Sequence, residues 1–372
     1  MWLLDTARAE LHFFSDPSRV PQGYAILSHT WKGEEQSFQD VQTIRAQCEK
    51  TGQNPRDRVS GKIRNCCIQA ERYSHQWVWI DCCCIDKTSS TELSEAINSM
   101  FSWYVLAEVC FVYLEDVPSD DNIHEKGSAF RRARWHTRGW TLQEFLAPTF
   151  LVFLSCDWDR LGTKLELVTL LTEITKIRGE FITRKLSFHN NATIAERMHW
   201  AAHRTTSRLE DEAYCLLGLF DVNMPTLYGE GRRAFQRLQY ELVKHQFDAS
   251  LLAWGHHHAW ESESSPHRPV SSSGMIEGFH DATQFQRFLL APSPRLFSHP
   301  AVIYYTPGFS KDSQMLQPYL PHQWPAAVRT KLDYHTFISE LCLGRRRRRR
   351  APRKRAVRSY RAPNVRGLKY RH

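Results

Sequence analysis

Two kinds of residue in this chain could do chemistry: one carboxyl set among apolar groups, and a number of contiguous thiols. Glu144 lies in the run Trp140-Thr141-Leu142-Gln143-Glu144-Phe145-Leu146-Ala147-Pro148. Proline cannot continue a helix, so the segment predicts about two helical turns with an acid near their start. A carboxyl in such surroundings is a candidate for a functional charge. The competing reading is an ordinary first-turn acid, favoured by the helix dipole by ~0.3 to 1 kcal/mol, or one half of a structural ion pair. Of the ten cysteines, Cys66-Cys67 and Cys82-Cys83-Cys84 are contiguous. Neighbours along a strand face opposite ways, so reduced thiols are expected in place of disulfides. There is no Cys-x-x-Cys pair, and His256-His257-His258 stands in a Ser- and Pro-containing stretch. On that spacing no metal is expected.

The elements that must position these groups are read from periodicity. Tyr24 to Ser28 reads as a buried strand leading into His29-Thr30-Trp31. Trp77 to Cys83 reads as a second strand in which Trp77, Trp79 and Asp81 share a face, Val109 to Leu114 as a third and Phe150 to Leu154 as a fourth. Helices are predicted between them over Gly61 to Ser74, from a Ser89-x-x-Glu92 capping box to about Ala107, and over Thr141 to Leu146. Strands and helices alternating in this way predict an α/β fold: a doubly wound, mainly parallel sheet with helices on both faces and a helical C-terminal extension. Ligands of such sheets bind beyond the carboxyl ends of the strands. That rule selects Ser28, His29, Thr30 and Trp31 after the first strand, Asp81 to Lys87 after the second, with Asp81 and Asp86 as candidates, and the Arg134 to Glu144 segment after the third, with Arg138, Trp140 and Glu144 as candidates.

From Lys164 onward the pattern is helical, over Leu165 to Lys176, Thr193 to Arg204, Glu210 to Leu219 and Gly231 to His245. Phe235, Leu238 and Leu242 of the last recur at core spacing. The chain then loosens into His256 to Gly274, and Phe288 to Phe309 recovers some strand character. The organisation expected is an α/β part over 1–163, a helical extension over 164–254, a loosely structured region over 255–344 and a disordered tail over 345–372.

Across 372 residues, 42% hydrophobic content is enough to fill the core of one large domain or two. The net charge of +9 divides unevenly: residues 345–372 carry 14 Lys and Arg and no acid, leaving residues 1–344 with 35 basic and 40 acidic groups. The tail reads as a nuclear-import or nucleic-acid patch, as a solvated end without a role, or as the product of a wrong reading frame. Nucleic acid is otherwise an unexpected partner, because interleaved aromatics and a recognised module are missing. Asp5, Arg8 and Glu10 follow Met1-Trp2-Leu3-Leu4 at once, and the longest apolar run, Phe145 to Cys156, is too short to span a bilayer. A cytoplasmic protein is therefore expected, with nuclear access through the Arg-rich tail, and no membrane partner.

Several of these motifs together resemble the fungal heterokaryon incompatibility (HET) domain: Tyr24-Ala25-Ile26-Leu27-Ser28-His29-Thr30-Trp31, Trp79-Ile80-Asp81-Cys82-Cys83-Cys84-Ile85-Asp86-Lys87 and Arg138-Gly139-Trp140-Thr141-Leu142-Gln143-Glu144. The likeness continues through Glu210-Asp211-Glu212-Ala213-Tyr214 to about Trp254. It implies fungal non-self recognition, in which fusion of unlike cells leads to growth arrest and death, with other incompatibility proteins or self-association as partners. It also implies a relative of the TIR domain, with a flavodoxin-like sheet. The run at 140–144 looks like the Trp-Cys-Leu-x-Glu run of TIR domains, whose glutamate cleaves NAD, although Thr141 stands where that pattern has cysteine. No Gly-x-x-x-x-Gly-Lys-Ser/Thr phosphate loop is present. A trigger is therefore expected from another chain or from abundance.

Two functions from different classes follow from the resemblance. In the first, Glu144 is catalytic and NAD is a substrate, with no further cofactor. Cleaving the nicotinamide–ribose bond builds positive charge on the ribose, and one carboxylate suffices because nicotinamide leaves as a neutral group. Trp31 or Trp140 would stack the base, and Ser28, Thr30 and Arg138 would hold hydroxyls and phosphate. In the second, the domain is a non-catalytic interaction module, and Asp81, Asp86 and Glu144 fix loop geometry.

Overall fold

The computed structural model describes residues 1–245, 248–252 and 290–298. The expectations for residues 255–289 and for the tail at 345–372 fall outside them, as does that for the His256-His257-His258 run. The strands are β1 (Trp2–Asp5), β2 (Leu11–Phe13), β3 (Ala25–His29), β4 (Trp77–Trp79), β5 (Val109–Tyr113), β6 (Leu151–Leu154) and β7 (Arg160–Thr163). They form one sheet in the order β2-β1-β4-β3-β5-β6-β7. The centre is parallel: β3 lies between β4 and β5, and β6 joins β5. Both edges are antiparallel, β1 pairing with β2 and β4, and β7 with β6. The mixed α/β architecture with a mostly parallel sheet matches expectation, whereas the edge strands were not foreseen. β1, β2 and β7 have three or four residues each, too few for a period-2 signal to stand out.

Every residue of β3 and β6 is buried. Successive side chains on a strand point to opposite faces, so both faces of the sheet centre are covered. The helix α1 (Phe38–Thr51) was not predicted, although Ser37 and Asp40 form a reciprocal capping box at its start. α2 (Gly61–Arg72) and α3 (Ser90–Leu106) lie where expected. The capping box at α3 is only half made: Ser89 caps Glu92 N, while the Glu92 carboxylate turns to the amide of Asp86 at 3.1 Å. Two buried tyrosines tie this helix to the central strand. Tyr24 donates to the Trp103 carbonyl at 2.6 Å, and Tyr104 to the Leu27 carbonyl at 2.9 Å.

The second strand is shorter than predicted. β4 stops at Trp79, because the amides of Cys83 and Cys84 both turn back to the Ile80 carbonyl. Asp81 therefore leaves the strand and does not share a face with Trp77 and Trp79 in its pleat. After α4 (Ala129–Arg132) comes α5 (Thr141–Leu146), all six of whose residues are buried.

The helical part beyond residue 164 shares one continuous core with the sheet. It comprises α6 (Val168–Thr175), α7 (Gly179–Ile182), α8 (Phe188–Asn191), α9 (Ile194–Ala202), α10 (Asp211–Tyr214), α11 (Leu217–Phe220) and α12 (Arg233–His245). The single helix expected over Glu210 to Leu219 is split into α10 and α11. Gly218 shows how closely α11 approaches α3, since a Cβ there would stand 2.0 Å from that of Phe101. Within the stretch expected to regain strand character, Pro294–Phe297 is a short 3-10 turn. Ser293 caps that turn, and Pro294 at its first position favours a turn over a strand. All nine described cysteines are free, as expected, and Cys342 lies outside the described residues.

Candidate functional site

Glu144 meets the central strand directly. The indole Nε1 of Trp135 donates to Ser28 Oγ at 2.7 Å, and Ser28 Oγ donates in turn to Glu144 Oε2. An indole N–H can only donate, so Ser28 must accept from Trp135, and its own proton is thereby turned toward the carboxyl. Residues from three segments, separated by up to 116 positions, thus form one buried chain of bonds. Glu144 is only 5% exposed. Burial pushes its pKa up to about 8, with the bond from Ser28 pulling the other way and the Asp81 charge adding to the rise.

Several groups hold α5 in place. Thr141 Oγ1 donates to the carbonyls of Trp135 and Arg138, and Arg204 donates to Arg138 O and Thr141 Oγ1, each at 3.0 Å. Gly139 lies where the chain passes under the segment at 205–206, and a Cβ there would stand 2.5 Å from Thr206 Cγ2. At the far end of the helix, Lys164 Nζ donates to the carbonyls of Phe145 at 2.7 Å and Pro148 at 2.8 Å. It replaces the donors that the proline-terminated helix lacks. Burial pulls the Lys164 pKa down to about 7.

A second group forms where β3 ends and β4 has just ended. His29 Nδ1 stands 3.7 Å from Asp81 Oδ1, with the His29 side chain 1% exposed. Trp31 Nε1 donates to Asp81 Oδ2 at 3.0 Å. Lys87 Nζ sits 4.0 Å from the centre of the Trp31 ring, and Arg134 donates to the Trp31 carbonyl at 3.0 Å. Burial works to lower the His29 pKa, but the facing Asp81 carboxylate and Cys82 thiol outweigh it and the net direction is up. Cys82 is lowered to about 6, chiefly by the neighbouring Cys83 thiol and then by His29 acting against burial. His29, Asp81 and Cys82 each offer a ligand atom, and these atoms lie within 4.8 Å of one another.

The structure therefore brings Ser28, His29, Trp31, Asp81 and Glu144 together, and Thr30 lies buried beside them in the chain. The other three residues point elsewhere. Asp86 accepts from Thr88 N, Thr88 Oγ1 and Gln39 Nε2, which makes it the brace of the loop before α3. Arg138 reaches Ser207 Oγ at 2.8 Å and touches Glu144 only through its charge. Trp140 is half-buried and bonded to Asp211. Sequence reasoning missed Trp135, Cys82, Lys164 and Arg204. Trp135 lies within the segment that the strand-end rule selects, and that position was the usable signal. A groove of about 160 Å³ lies apart, lined by Met1, Trp2, Phe13, Ile85, Glu92 and Trp103 among others, without Glu144.

Residues 24–131 match the family described as heterokaryon incompatibility protein (HET). The chain is also 43% identical over 235 residues to the vegetative incompatibility protein HET-E-1 of Podospora anserina, a span of 61% of this chain and 17% of that protein. The chain thus contains a region, residues 24–131, that matches the HET family. The family match holds Ser28, His29, Trp31 and Asp81 and ends before Trp135 and Glu144. Residues 233–323 match a domain of unknown function, DUF8212. No solved structure matches the chain. Among the described residues no helix is long and apolar enough to cross a membrane.

Proposed function

We propose that this protein acts in fungal vegetative incompatibility by cleaving the nicotinamide–ribose bond of NAD, with Glu144 as the catalytic carboxylate on a doubly wound, TIR-like sheet. The observation that carries this reading is the Trp135–Ser28–Glu144 chain of bonds at the carboxyl end of β3. A buried carboxyl held by one oriented hydroxyl is a poised charge: it resists ionisation at rest, and a cation developing beside it favours the ionised form. As the bond to nicotinamide lengthens, its electron pair leaves with the ring as neutral nicotinamide, and the charge left on the ribose is met by ionised Glu144. Water then adds to the ribose carbon and releases its proton to solvent, giving ADP-ribose. Trp31, 41% exposed and backed by Lys87, offers an aromatic surface next to a cation for a base and a phosphate. Other incompatibility proteins or further copies of the chain are the proposed partners, in a cytoplasmic setting.

A second reading is favoured by the depth of the site. Glu144 is 5% exposed and Ser28 is fully buried, which suits a carboxyl that organises the domain while its surface recruits partners. Overexpression separates the two. Under the catalytic reading, cells making the wild-type chain lose viability and NAD together, and Glu144→Gln spares both. Killing with NAD intact would leave the recruitment reading standing alone.

A further inference from the structure

We infer that His29, Asp81 and Cys82 form a binding site for a divalent transition-metal ion of the zinc type, set at the junction of β3 and β4 beside the Glu144 carboxyl. One imidazole, one carboxylate and one thiol are the ligands that such borderline cations prefer, and magnesium or calcium would instead select oxygens alone. Their candidate ligand atoms already lie within 4.8 Å of one another. Tetrahedral coordination with nitrogen and oxygen bonds of roughly 2.0 to 2.2 Å places those two ligand atoms roughly 3.3 to 3.5 Å apart, so the 3.7 Å from His29 Nδ1 to Asp81 Oδ1 needs to close by only a few tenths of an ångström.

Two atoms of the group make no hydrogen bond in the fold. Asp81 Oδ1 and His29 Nε2 are buried and have no hydrogen-bond partner. Buried polar atoms of this kind are costly when unsatisfied, so each calls for a reason. For Asp81 the reason is visible in its other oxygen. Oδ2 is taken by the Trp31 indole N–H at 3.0 Å, which fixes the carboxylate and leaves Oδ1 facing His29. A bond of this type from a second ring to a ligating carboxylate is what orients metal ligands. The expectation of no metal rested on thiols close in sequence. This set is instead drawn from residues 52 or 53 positions apart in the chain, brought together by the parallel pairing of β3 with β4. Three protein ligands leave a fourth position for water or substrate, the arrangement of a reactive metal rather than a purely structural one.

The test uses the full chain and cobalt(II), which replaces zinc and reports a thiolate ligand by an intense near-ultraviolet charge-transfer band. One equivalent of cobalt should give that band together with the visible absorption of a tetrahedral ion, and zinc should bleach both. Cys82→Ser should abolish the band, whereas Cys156→Ser should leave it, and Trp31→Phe should weaken binding by about 10- to 100-fold. X-ray absorption of the wild-type zinc complex depends on no variant and should show one sulfur among nitrogen and oxygen neighbours. Absence of stoichiometric binding, a band that survives in folded Cys82→Ser, or two or more sulfurs around zinc would each overturn the assignment.

Discussion

Two buried ionisable groups of the α5 region, Lys164 at the helix's C-terminal end and Glu144 in its first turn, are built differently. At the C-terminal end, Lys164 gives protons to two backbone carbonyls that proline left without helical donors. Its position is explained by the helix it closes. In the first turn Glu144 receives one hydroxyl, which is itself oriented by Trp135, and no arginine or lysine bonds to it among the described residues. A charge that completes the backbone belongs to the fold. A carboxyl with raised proton affinity, held by an oriented relay at the end of a parallel strand, has the properties of a working group.

The comparison breaks first at Lys164. Lys164→Met leaves two buried carbonyls without donors, and urea unfolding should show a loss of about 2 to 5 kcal/mol. A loss below 0.5 kcal/mol, on the order of an ordinary surface substitution, would mean that water or another donor closes the helix. Next in size is Ser28→Ala, which strands both the Trp135 N–H and a carboxyl oxygen. It should cost about 1 to 3 kcal/mol. Because the Ser28 bond is what pulls the Glu144 pKa down, the same change should move any Glu144-dependent activity to higher pH. Trp135→Phe removes only a donor and should cost about 0.5 to 1.5 kcal/mol, with a smaller alkaline shift.

The two groups should also differ in how stability follows pH. Glu144 has its pKa raised in the fold, so it binds more protons folded than unfolded between pH 4.5 and about 8. Its contribution is present below the unfolded pKa and is lost as pH rises through the folded one. Lys164 has its pKa lowered, so the unfolded chain binds the extra proton between about 7 and 10.5, and stability rises with pH across that window. Each group alone gives a slope of about 1.4 kcal/mol per pH unit. Stability curves of Glu144→Gln and Lys164→Met measured from pH 5 to 10 should therefore diverge from the wild type in opposite senses. Parallel curves would remove the electrostatic half of the comparison.

The four central strands and the helix that ends before Pro148 were legible because long apolar runs and proline leave little choice of state. The strand-end rule then gathered Ser28, His29, Trp31, Asp81 and Glu144 correctly into one neighbourhood. It gathered Asp86, Arg138 and Trp140 as well, because position along the chain does not reveal that Asp86 turns to Thr88 or that Trp140 turns to Asp211. Lys164 and Arg204 escaped notice for a related reason: each acts on backbone carbonyls, which carry no sequence signature. The cluster of His29, Asp81 and Cys82 depends on the turn at Ile80 that ends β4 early, a choice settled by tertiary contacts rather than by β propensity.

The most direct measurement is nicotinamide release from NAD by the purified full chain and by its Glu144→Gln variant, taken alongside thermal melts of the same preparations. The expected result is release by the wild type, a loss of about 10² to 10³ in rate for the variant, and a variant that melts no lower than the wild type near neutral pH. Equal release from both proteins, or no release from a wild-type chain shown to be folded, would contradict a catalytic Glu144.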